Sequence, residues 1–509
     1  MALSLISILC ILSNLSKHPL VPGTNPGTPP SPPRAAQPLS GAASAMATPT
    51  LKPTTLKIDN ARFILTIDGG RRIVRDGSIL IEGTRIARVG KASELADAPA
   101  ERTIDARGLV VTPALFNGHM HISYAHAVRG IFPDDVENRL ERVFELQAAM
   151  TEDEEYWTTL LGLVELLKNG TGCFVDPGST KFPNACLQAY QDAGIRVVLG
   201  EGVTDRDFPY ALARYSTDEA LAKTRAFIER WDGRLDGRIR AWAMPFSPES
   251  CSPELLQGLK RIADERGTRL TVHHSSGDGP RAAYASEHGT TPTEYLEKLG
   301  VLGDNVLLAH ALGIDDSEIA SIARSGTSVV MCPTASMKEG RGIHADGRMP
   351  ELLAKGVPVA LGSDSPNSSN HLDIVRSMFL AAVQYKDARR DTRMIPAETA
   401  LEMGTLLGAR AFGLDNELGS IETGKKADLV LFDTRRPEWQ ALFNPVNNLV
   451  YNTDGRSVHT VIVDGRVVVD AYRQSFVDES ALYDRVQAIG EGLQARTGVA
   501  FPRSRWPIE

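Results

Sequence analysis

Two histidines with the spacing of a metal-ligand pair, His119 and His121, follow the apolar run Val111–Phe116. If the run is a strand, side chains two residues apart point to the same side of the chain. Two neutral imidazoles on one side can share a divalent metal ion, because imidazole nitrogen is a common ligand of zinc and other transition metals. The pair alone does not distinguish a metal site from two ordinary polar histidines. The distinction depends on whether other potential metal ligands lie near the pair.

The elements that would position these histidines are short apolar runs that alternate with stretches of helical periodicity. The clearest helix begins after Thr151, where Glu154 completes a capping-box pattern and Gly170 stands at the expected C-cap. Continuously apolar strands alternating with helices indicate a parallel sheet, and eight of them over roughly 250 residues predict a (β/α)8 barrel. An open doubly wound sheet is the competing architecture, but no glycine-rich phosphate fingerprint follows an early strand. The eight runs are Val111–Phe116, Thr171–Val175, Ile195–Leu199, Ile239–Met244, Thr268–His273, Asn305–Ala309, Thr327–Met331 and Val357–Leu361.

Polar residues stand where several of these runs end. His119 and His121 follow the first run, His273 ends the fifth, His310 follows the sixth, and Asp364 follows the eighth. The C-terminal ends of barrel strands converge on one face, where catalytic groups lie, so we expect these side chains to meet. The remaining histidines are interpreted as ordinary polar residues: His126, His274, His288, His344, His371 and His459.

Longer motifs surround these residues, namely PALFNGHMH, LLAHALGI, VVMCPTASMK, VALGSDSPNSSN and LGSIETGKKADLV. In combination, from about Ile58 to about Val468, the chain resembles the amidohydrolase superfamily. The similarity is to the mononuclear-metal branch of triazine hydrolases and of guanine, cytosine and adenosylhomocysteine deaminases. The resemblance implies a (β/α)8 TIM-like barrel beside a small β-sandwich domain that is built from N- and C-terminal segments.

The resemblance also implies a ligand set, in which His119, His121, His273 and Asp364 hold one divalent metal ion. His310 would contact water or substrate, and Asp364 would also accept a proton from the attacking water. No lysine ends the fourth run, so a binuclear centre with a carboxylated lysine bridge is not expected. Zn2+ is the expected ion, although such a ligand set also accepts Fe2+, Co2+ or Mn2+.

Ser276 marks a departure from the family pattern. Deaminases of this branch carry a glutamate three residues after the fifth-strand histidine, whereas the segment from His273 reads HHSSG here. That glutamate shuttles a proton to a ring nitrogen while water attacks the adjacent carbon. A serine hydroxyl, with a pKa far above neutral, cannot replace it as a general acid or base. The departure puts ring deamination in doubt, but not hydrolysis that needs no such proton.

We therefore predict a metal-dependent hydrolase of a non-peptide C–N or related bond in a small molecule such as a urea, carbamate, thiocarbamate, amide or s-triazine. The enzyme alternative is an aminohydrolase of a purine, pyrimidine or pterin, with His274 or Asp278 in place of the missing acid. The non-enzyme alternative is a non-catalytic scaffold relative, against which the intact ligand set argues. Candidates for the rest of the pocket are Tyr124, His126, Arg129, Phe246 and the segment Met331 to Met337.

Composition narrows the possible partners. A net charge of −8 without a basic cluster argues against nucleic acid and against an anionic membrane surface. The five cysteines are scattered without a CxxC spacing, which indicates reduced thiols and a cytoplasmic enzyme. We expect a homo-oligomer that binds a small-molecule substrate.

The domain organisation follows from shifts in composition along the chain. Residues 1–50 are expected to be a leader or linker; residues 1–45 are either a signal segment or an artefact of a start site assigned upstream of the true start at Met46. Residues 51–112 and 415–475 carry short β-rich pieces and are expected to form the composite β-sandwich. Residues 113–414 would form the barrel, and residues 476–509 a C-terminal helix, Glu479–Thr497, with its tail.

Overall fold

A computed structural model describes residues 54–134, 136, 139–276, 278–499 and 506, with the backbone alone at 124, 125 and 278–280. The predicted leader, residues 1–50, lies outside the described residues. Within the described part of the chain, no helix combines the length and the apolar character that crossing a bilayer requires. The strands are β1 (Thr55–Leu65), β2 (Ile73–Glu82), β3 (Arg85–Lys91), β4 (Arg102–Asp105), β5 (Leu109–Pro113), β6 (Leu115–Asn117), β7 (Thr171–Asp176), β8 (Arg196–Leu199), β9 (Gly202–Val203), β10 (Ile239–Ala241), β11 (Met244–Pro245), β12 (Leu270–His274), β13 (Val306–His310), β14 (Ser328–Met331), β15 (Val359–Leu361), β16 (Leu429–Asp433), β17 (Val458–Val463), β18 (Arg466–Asp470) and β19 (Arg473–Gln474).

The sheet domain, strands β1–β5 and β16–β19, unites the two ends of the described chain. The strand order is β19-β18-β17-β16-β5-β1-β2-β3, and β4 pairs with β1. The sheet curves so that β3 approaches the segment before β16, where the Ile86 amide donates to the Lys425 carbonyl at 2.9 Å. The curved sheet encloses its own apolar core, which includes Leu56, Ile58, Ile64, Ile79, Ile81, Val111, Leu429, Leu431 and Ile462.

The barrel is a closed ring of parallel strands. Pairing runs from β6 through β7 and β8 to β10, and from β12 through β13 and β14 to β15. The two arcs are joined on one side by a bridge between Ala243 and Leu270. On the other side the Gly118 amide donates to the Leu361 carbonyl at 2.8 Å. The fold is thus the expected (β/α)8 barrel beside a small β-rich domain.

Two predicted strands differ from the observed ones. The first run, Val111–Phe116, is divided at Ala114, because β5 pairs with β1 and β16 whereas β6 pairs with β7. Pro113, which has no amide hydrogen to continue a ladder, stands at this boundary. The fourth run, Ile239–Met244, consists of the short strands β10 and β11 with Trp242 and Ala243 between them.

The helices cover the outside of the barrel, and the predicted capping box is confirmed. The Glu154 amide donates to Thr151 Oγ1 at 3.3 Å, and the Thr151 amide donates to Glu154 Oε2 at 2.9 Å. The terminal helix has the predicted bounds, Glu479–Thr497. The longer helices are Arg139–Ala148, Glu152–Lys168, Pro183–Ala193, Thr217–Trp231, Pro253–Glu265, Asp278–His288, Asp316–Ser325, Ile374–Arg389 and Glu479–Thr497, and the shorter ones are Tyr124–Ala127, Arg234–Gly237, Pro292–Lys298, Pro333–Lys338, Ile343–Asp346, Met349–Ala354, Ala397–Met403, Leu406–Ala411 and Pro445–Asn447.

Aromatic rings close the N-terminal end of the barrel, which we call the floor. Phe412 follows the helix Leu406–Ala411 and packs edge-on against Phe116, with ring centroids 5.2 Å apart. Its ring centroid lies 6.0 Å from that of Trp242. All three side chains are buried, so the barrel interior is a packed apolar core beneath the strand ends.

A buried ionic joint connects the sheet domain to the barrel. Arg196, the first residue of β8, donates from Nε to Asp428 Oδ2 at 2.9 Å and from Nη2 to Asp428 Oδ1 at 3.1 Å. The Asp464 amide donates to Asp428 Oδ1 at 2.8 Å. Because all three residues are buried, each charge depends on its partners for the interactions that water would otherwise supply.

Candidate metal centre and substrate cavity

The polar residues predicted at the strand ends converge at the C-terminal end of the barrel. His119 and His121 lie in the turn after β6, and His273 is the penultimate residue of β12. His310 is the last residue of β13, and Asp364 follows β15. The geometry therefore brings together all five side chains that the sequence singled out.

The potential ligand atoms form a tight cluster. Nε2 of His121 and Nε2 of His273 are 3.2 Å apart. Oδ1 of Asp364 lies 3.9 Å from Nε2 of His119 and 3.8 Å from Nε2 of His121. His310 belongs to the same cluster, since one ligand atom each of His119, His310 and Asp364 lie within 4.8 Å of one another. Such spacing allows one ion to contact several of these atoms.

The hydrogen bonds around the cluster fit a divalent cation. Neither ring nitrogen of the buried His119 has a hydrogen-bond partner among the described residues, an arrangement that costs about 1–3 kcal/mol unless a ligand compensates. Nδ1 of His121 bonds to Ser179 Oγ at 2.9 Å, and Nδ1 of His273 donates to the Phe246 carbonyl at 2.5 Å. These bonds direct Nε2 of both rings into the cluster, as carbonyl and hydroxyl partners of metal-ligating histidines do.

The electrostatics of the cluster also suit a metal. Burial lowers the pKa of His121 and of His310 to about 3, so both imidazoles are neutral at physiological pH. Burial by itself would raise the pKa of Asp364, but His310, His121 and Arg341 hold this pKa below its ordinary value. The cluster therefore offers neutral nitrogens and one anionic carboxylate, which is the protonation state that metal ligands need.

Two of the strand ends turn sharply at the cluster. His310 has a φ of 80° and Asp364 a φ of 61°, in the left-handed region that non-glycine residues seldom adopt. Residues in this region are strained by about 1–3 kcal/mol and are concentrated at functional sites. The backbone is therefore strained where it directs these two side chains into the C-terminal end of the barrel, which we call the mouth.

A cavity of about 380 Å³ opens directly above the cluster. One side of its wall is aromatic: the rings of Phe144 and Tyr210 are stacked with centroids 4.9 Å apart, and Phe208 meets Tyr210 edge-on at 4.9 Å. Phe246 connects this wall to the cluster, since its ring centroid lies 4.7 Å from that of His273. The lining residues are His121, Leu140, Phe144, Phe208, Tyr210, Phe246, Ser247, Glu249, His273, His274, Ser275, Ser276, Ala283, His310, Arg341, Asp364, Ser365 and Ser368.

Of the pocket residues suggested by the sequence, only Phe246 is found in this wall among the described side chains. His126 and Arg129 line a different cavity. Nδ1 of His126 donates to the Ile122 carbonyl at 2.5 Å, and Arg129 forms an ion pair with Glu165. Met331 packs in the core beneath the helices, and Met337 is exposed. The side chain of Tyr124 lies outside the described residues.

Several residues of the cavity were missed by the sequence reasoning. Phe144 lies on the helix Arg139–Ala148, Phe208 and Tyr210 lie in the loop after β9, and no spacing pattern indicates them. Glu249 follows β11 closely, and its place after a strand was a usable signal, whereas Arg341 lies beyond the helix that follows β14. Arg341 lies with Nη1 3.9 Å from Asp364 Oδ2 and is paired with Glu339.

The position of the absent glutamate is part of the cavity wall. Ser276 is half-buried there, three residues beyond His273. His274, one proposed substitute, bonds through Nε2 to Thr293 Oγ1 at 2.9 Å, and burial lowers its pKa to about 4. It is therefore neutral at physiological pH. The side chain of Asp278, the other suggested substitute, lies outside the described residues.

The cysteines agree with the expectation of reduced thiols. Within the described part of the chain, Cys173, Cys186, Cys251 and Cys332 are buried and unpaired, and Cys10 lies outside it.

Comparison with known proteins identifies the family. Residues 110–468 match the Amidohydrolase family, and the chain belongs to this family. It is 34% identical over 436 residues to a 5-methylthioadenosine/S-adenosylhomocysteine deaminase of Syntrophobacter fumaroxidans, with 85% of this chain and 97% of the relative covered. It is 33% identical over 442 residues to a 5'-deoxyadenosine deaminase of Methanothermobacter thermautotrophicus, with 86% and 100% covered. A crystal structure of an adenosine deaminase from Xanthomonas campestris with bound zinc superposes with a TM-score of 0.80 at 25% identity, covering 86% of this chain and 98% of that one.

These matches confirm the predicted family and fold, and the chain is a hydrolase that acts on carbon–nitrogen bonds. They favour the deaminase alternative over the expected urea, carbamate or triazine substrate, because the curated relatives named above are adenosine-type deaminases.

Proposed function

We propose that this chain is a metal-dependent aminohydrolase that releases ammonia from the 6-amino group of an adenosine-type nucleoside. The observation that carries the proposal is the His119, His121, His273 and Asp364 cluster at the base of an aromatic-walled cavity. The deaminase names of relatives that align over nearly their whole length support the same reaction class.

The cavity suits a planar heterocycle. Its volume of about 380 Å³ lies in the range typical of small-molecule sites. The stacked rings of Phe144 and Tyr210 offer flat apolar surface, on which a purine can stack in the offset or edge-on geometry that aromatic groups prefer. The ring would then lie beside His273 and Asp364, with the amino-bearing carbon towards the cluster.

The roles of the residues follow from their protonation states. We assign His119, His121, His273 and Asp364 to one divalent ion, with zinc as the first choice. When bound, such an ion lowers the pKa of a coordinated water and so supplies a nucleophile at neutral pH. The Asp364 carboxylate, ionised because its pKa is held low, accepts a proton from the attacking water and passes it to the departing amine. Neutral His310 donates or accepts a hydrogen bond at the attacked centre.

A second candidate function remains, and Ser276 is the observation that favours it. An enzyme without an acid at this position can still hydrolyse a urea, carbamate or related substrate, because these need no proton on a ring nitrogen. The aromatic wall would accept an aryl group of such a substrate equally well.

Ammonia release separates these two candidates. Purified zinc-loaded protein should deaminate at least one of 5'-methylthioadenosine, S-adenosylhomocysteine, 5'-deoxyadenosine and adenosine, and should leave aryl ureas and aryl carbamates intact. Ammonia would be followed with a coupled assay and the loss of the 6-amino group by ultraviolet absorbance. Hydrolysis of the ureas or carbamates without ammonia from any nucleoside would establish the second candidate instead. An inert protein that binds no metal would point to a scaffold.

Two further properties are proposed alongside the reaction. We expect a homo-oligomer and a cytoplasmic location, as the sequence suggested, with no nucleic-acid partner. Light scattering coupled to size-exclusion chromatography would determine the oligomeric state, and a mass equal to one chain would contradict that expectation.

A further inference from the structure

Deamination of a 6-aminopurine needs an acid that the metal cluster does not provide. As water adds to C6, electron density moves to the neighbouring ring nitrogen N1, which must receive a proton. Asp364 is occupied with the proton of the water, and Ser276 carries a hydroxyl too weakly acidic to serve. If the proposed function is correct, and the present inference rests on it, another side chain in the cavity must hold this proton.

Glu249 is the one carboxylate other than Asp364 among the described side chains that line the cavity. It lies in the loop after β11, the barrel strand next to the His273 strand β12. The two loops begin at one contact, because His273 Nδ1 donates to the Phe246 carbonyl at 2.5 Å. Glu249 stands three residues beyond Phe246, and Ser276 stands three residues beyond His273. Glu249 and Ser276 therefore lie on neighbouring loops that line the same cavity.

The loop that carries Glu249 is held rigidly on both sides of it. The Ser247 amide donates to Ser250 Oγ at 3.1 Å, the Ser250 amide donates to Ser247 Oγ at 3.3 Å, and Ser250 Oγ donates to the Ser247 carbonyl at 3.0 Å. Such reciprocal bonds fix the backbone of a turn. A preorganised loop is what a proton donor requires, since proton transfer depends on hydrogen-bond distance.

The carboxyl group of Glu249 is also available to interact with a substrate. Among the described residues no salt bridge holds it, and its hydrogen bonds come from the Ser247 hydroxyl and from its own backbone amide. Burial raises the pKa of Glu249 above its ordinary value, against the lowering effect of those hydrogen bonds. A larger fraction of the side chain is thus in the acid form near neutral pH than for an exposed glutamate.

We propose that Glu249 is the general acid of this enzyme and takes the place of the glutamate that Ser276 lacks. In the acid form it protonates N1 as the water oxygen bonds to C6, while one proton of the water passes to Asp364. Asp364 then protonates the amine, the C6–N bond breaks, and ammonia leaves. The remaining hydroxyl proton on C6 returns to Glu249 as the C6 carbonyl forms. The proton on N1 stays on the product, so water and nucleoside account for every atom.

The test replaces Glu249 in the zinc-loaded enzyme, with 5'-methylthioadenosine as the probe. Glu249→Gln should lower kcat by at least about 100-fold, the usual contribution of a general acid, with KM and zinc content close to the parent values. Glu249→Asp, which keeps the acid but shortens its reach, should fall between the two. Glu254, an exposed glutamate on the following helix, provides the matched control, and Glu254→Gln should retain the parent kcat.

The decisive variant moves the carboxylate to the neighbouring loop. Ser276→Glu introduced into Glu249→Gln should restore at least about tenfold of the lost kcat, because the acid would again face the same ring nitrogen. A merely structural role of Glu249 would not be rescued from the other loop.

Several outcomes would overturn the assignment. A rise in KM without loss of kcat in Glu249→Gln would make Glu249 a binding residue. Loss of kcat in Asp278→Asn, with Glu249→Gln active, would place the acid on Asp278. If the parent deaminates but neither Glu249→Gln nor Glu249→Asp is impaired, the proposed function stands and the Glu249 assignment falls. If the parent releases no ammonia from the four nucleosides, the proposed function itself is wrong.

Discussion

The two ends of the barrel differ in the kind of side chain that they bury. At the floor, Phe116 and Trp242 pack their buried rings edge-on against the ring of Phe412. At the mouth, buried histidines keep unpartnered nitrogens among the described residues, and His310 and Asp364 take left-handed backbone angles. The comparison indicates that packing at the floor stabilises the fold. At the mouth, the strained backbone and the unpartnered nitrogens destabilise the fold but position the groups that act in catalysis.

The largest expected effect tests the mouth. His119→Ala and Asp364→Ala should each remove most bound zinc and lower kcat/KM by several orders of magnitude, because the remaining ligands cannot hold the ion's geometry. Metal analysis and steady-state kinetics would measure both effects. The thermal midpoint of metal-free His119→Ala should change little from that of the metal-free parent, since His119 contributes unsatisfied polar atoms to the fold. Zinc near one ion per chain in either variant would contradict the ligand assignment, and near two in the parent would reveal a binuclear site.

The floor should respond in the opposite way. Phe412→Ala should reduce the free energy of unfolding by about 3–5 kcal/mol, as other large-to-small changes of buried aromatic residues do. The kcat of the folded enzyme should stay close to that of the parent. Denaturant titration and kinetics would measure these quantities, and Phe443→Ala, at a phenylalanine that is 92% exposed, is the control. A variant with normal stability but lost activity would reverse the comparison.

Next in expected effect is Asp176, the last residue of β7, which bonds to the covering helix Pro183–Ala193 and should make stability depend on pH. Burial raises its pKa to about 7, although Tyr190 Oη donates to Oδ2 at 2.8 Å. Between the ordinary pKa of 3.8 and about 7 the folded chain keeps a proton that the unfolded chain releases, so stability falls as pH rises through this window. Asp176→Asn should remove that loss and gain up to about a few kcal/mol on the parent between pH 5 and pH 8. Equal pH dependence of unfolding in parent and variant would contradict the assignment.

The smallest effect is expected at Ser276. Ser276→Ala should lower kcat/KM by less than about tenfold, equivalent to about 1.4 kcal/mol of transition-state stabilisation, because the hydroxyl supplies neither a metal ligand nor an acid. Kinetics of this variant beside Asp364→Ala would measure the contrast. If Ser276→Ala is as damaging as Asp364→Ala, the serine acts directly on water or substrate.

The sequence predicted the cluster of potential metal ligands at the mouth better than the aromatic residues of the cavity wall. His119, His273 and Asp364 could be located because each follows an apolar strand, and strand ends of a barrel converge whatever the loops do. The wall could not be predicted, since Phe144 and Tyr210 meet only through the tertiary packing of a helix against a separate loop. His126, a pocket candidate by its position after the first strand, lines a different cavity, because the short helix that carries it was not predictable from the sequence.

The joint between Arg196, Asp428 and Asp464 has a consequence for the order of synthesis. All the barrel strands are synthesised before Asp428 and Asp464. Arg196 therefore has no carboxylate partner until residues more than 200 positions downstream have been added. Until then the third barrel strand begins with an uncompensated cation at a site that the finished fold buries, an unfavourable state. We therefore expect the barrel to complete its packing only after the segment that carries Asp428 and Asp464 has been synthesised.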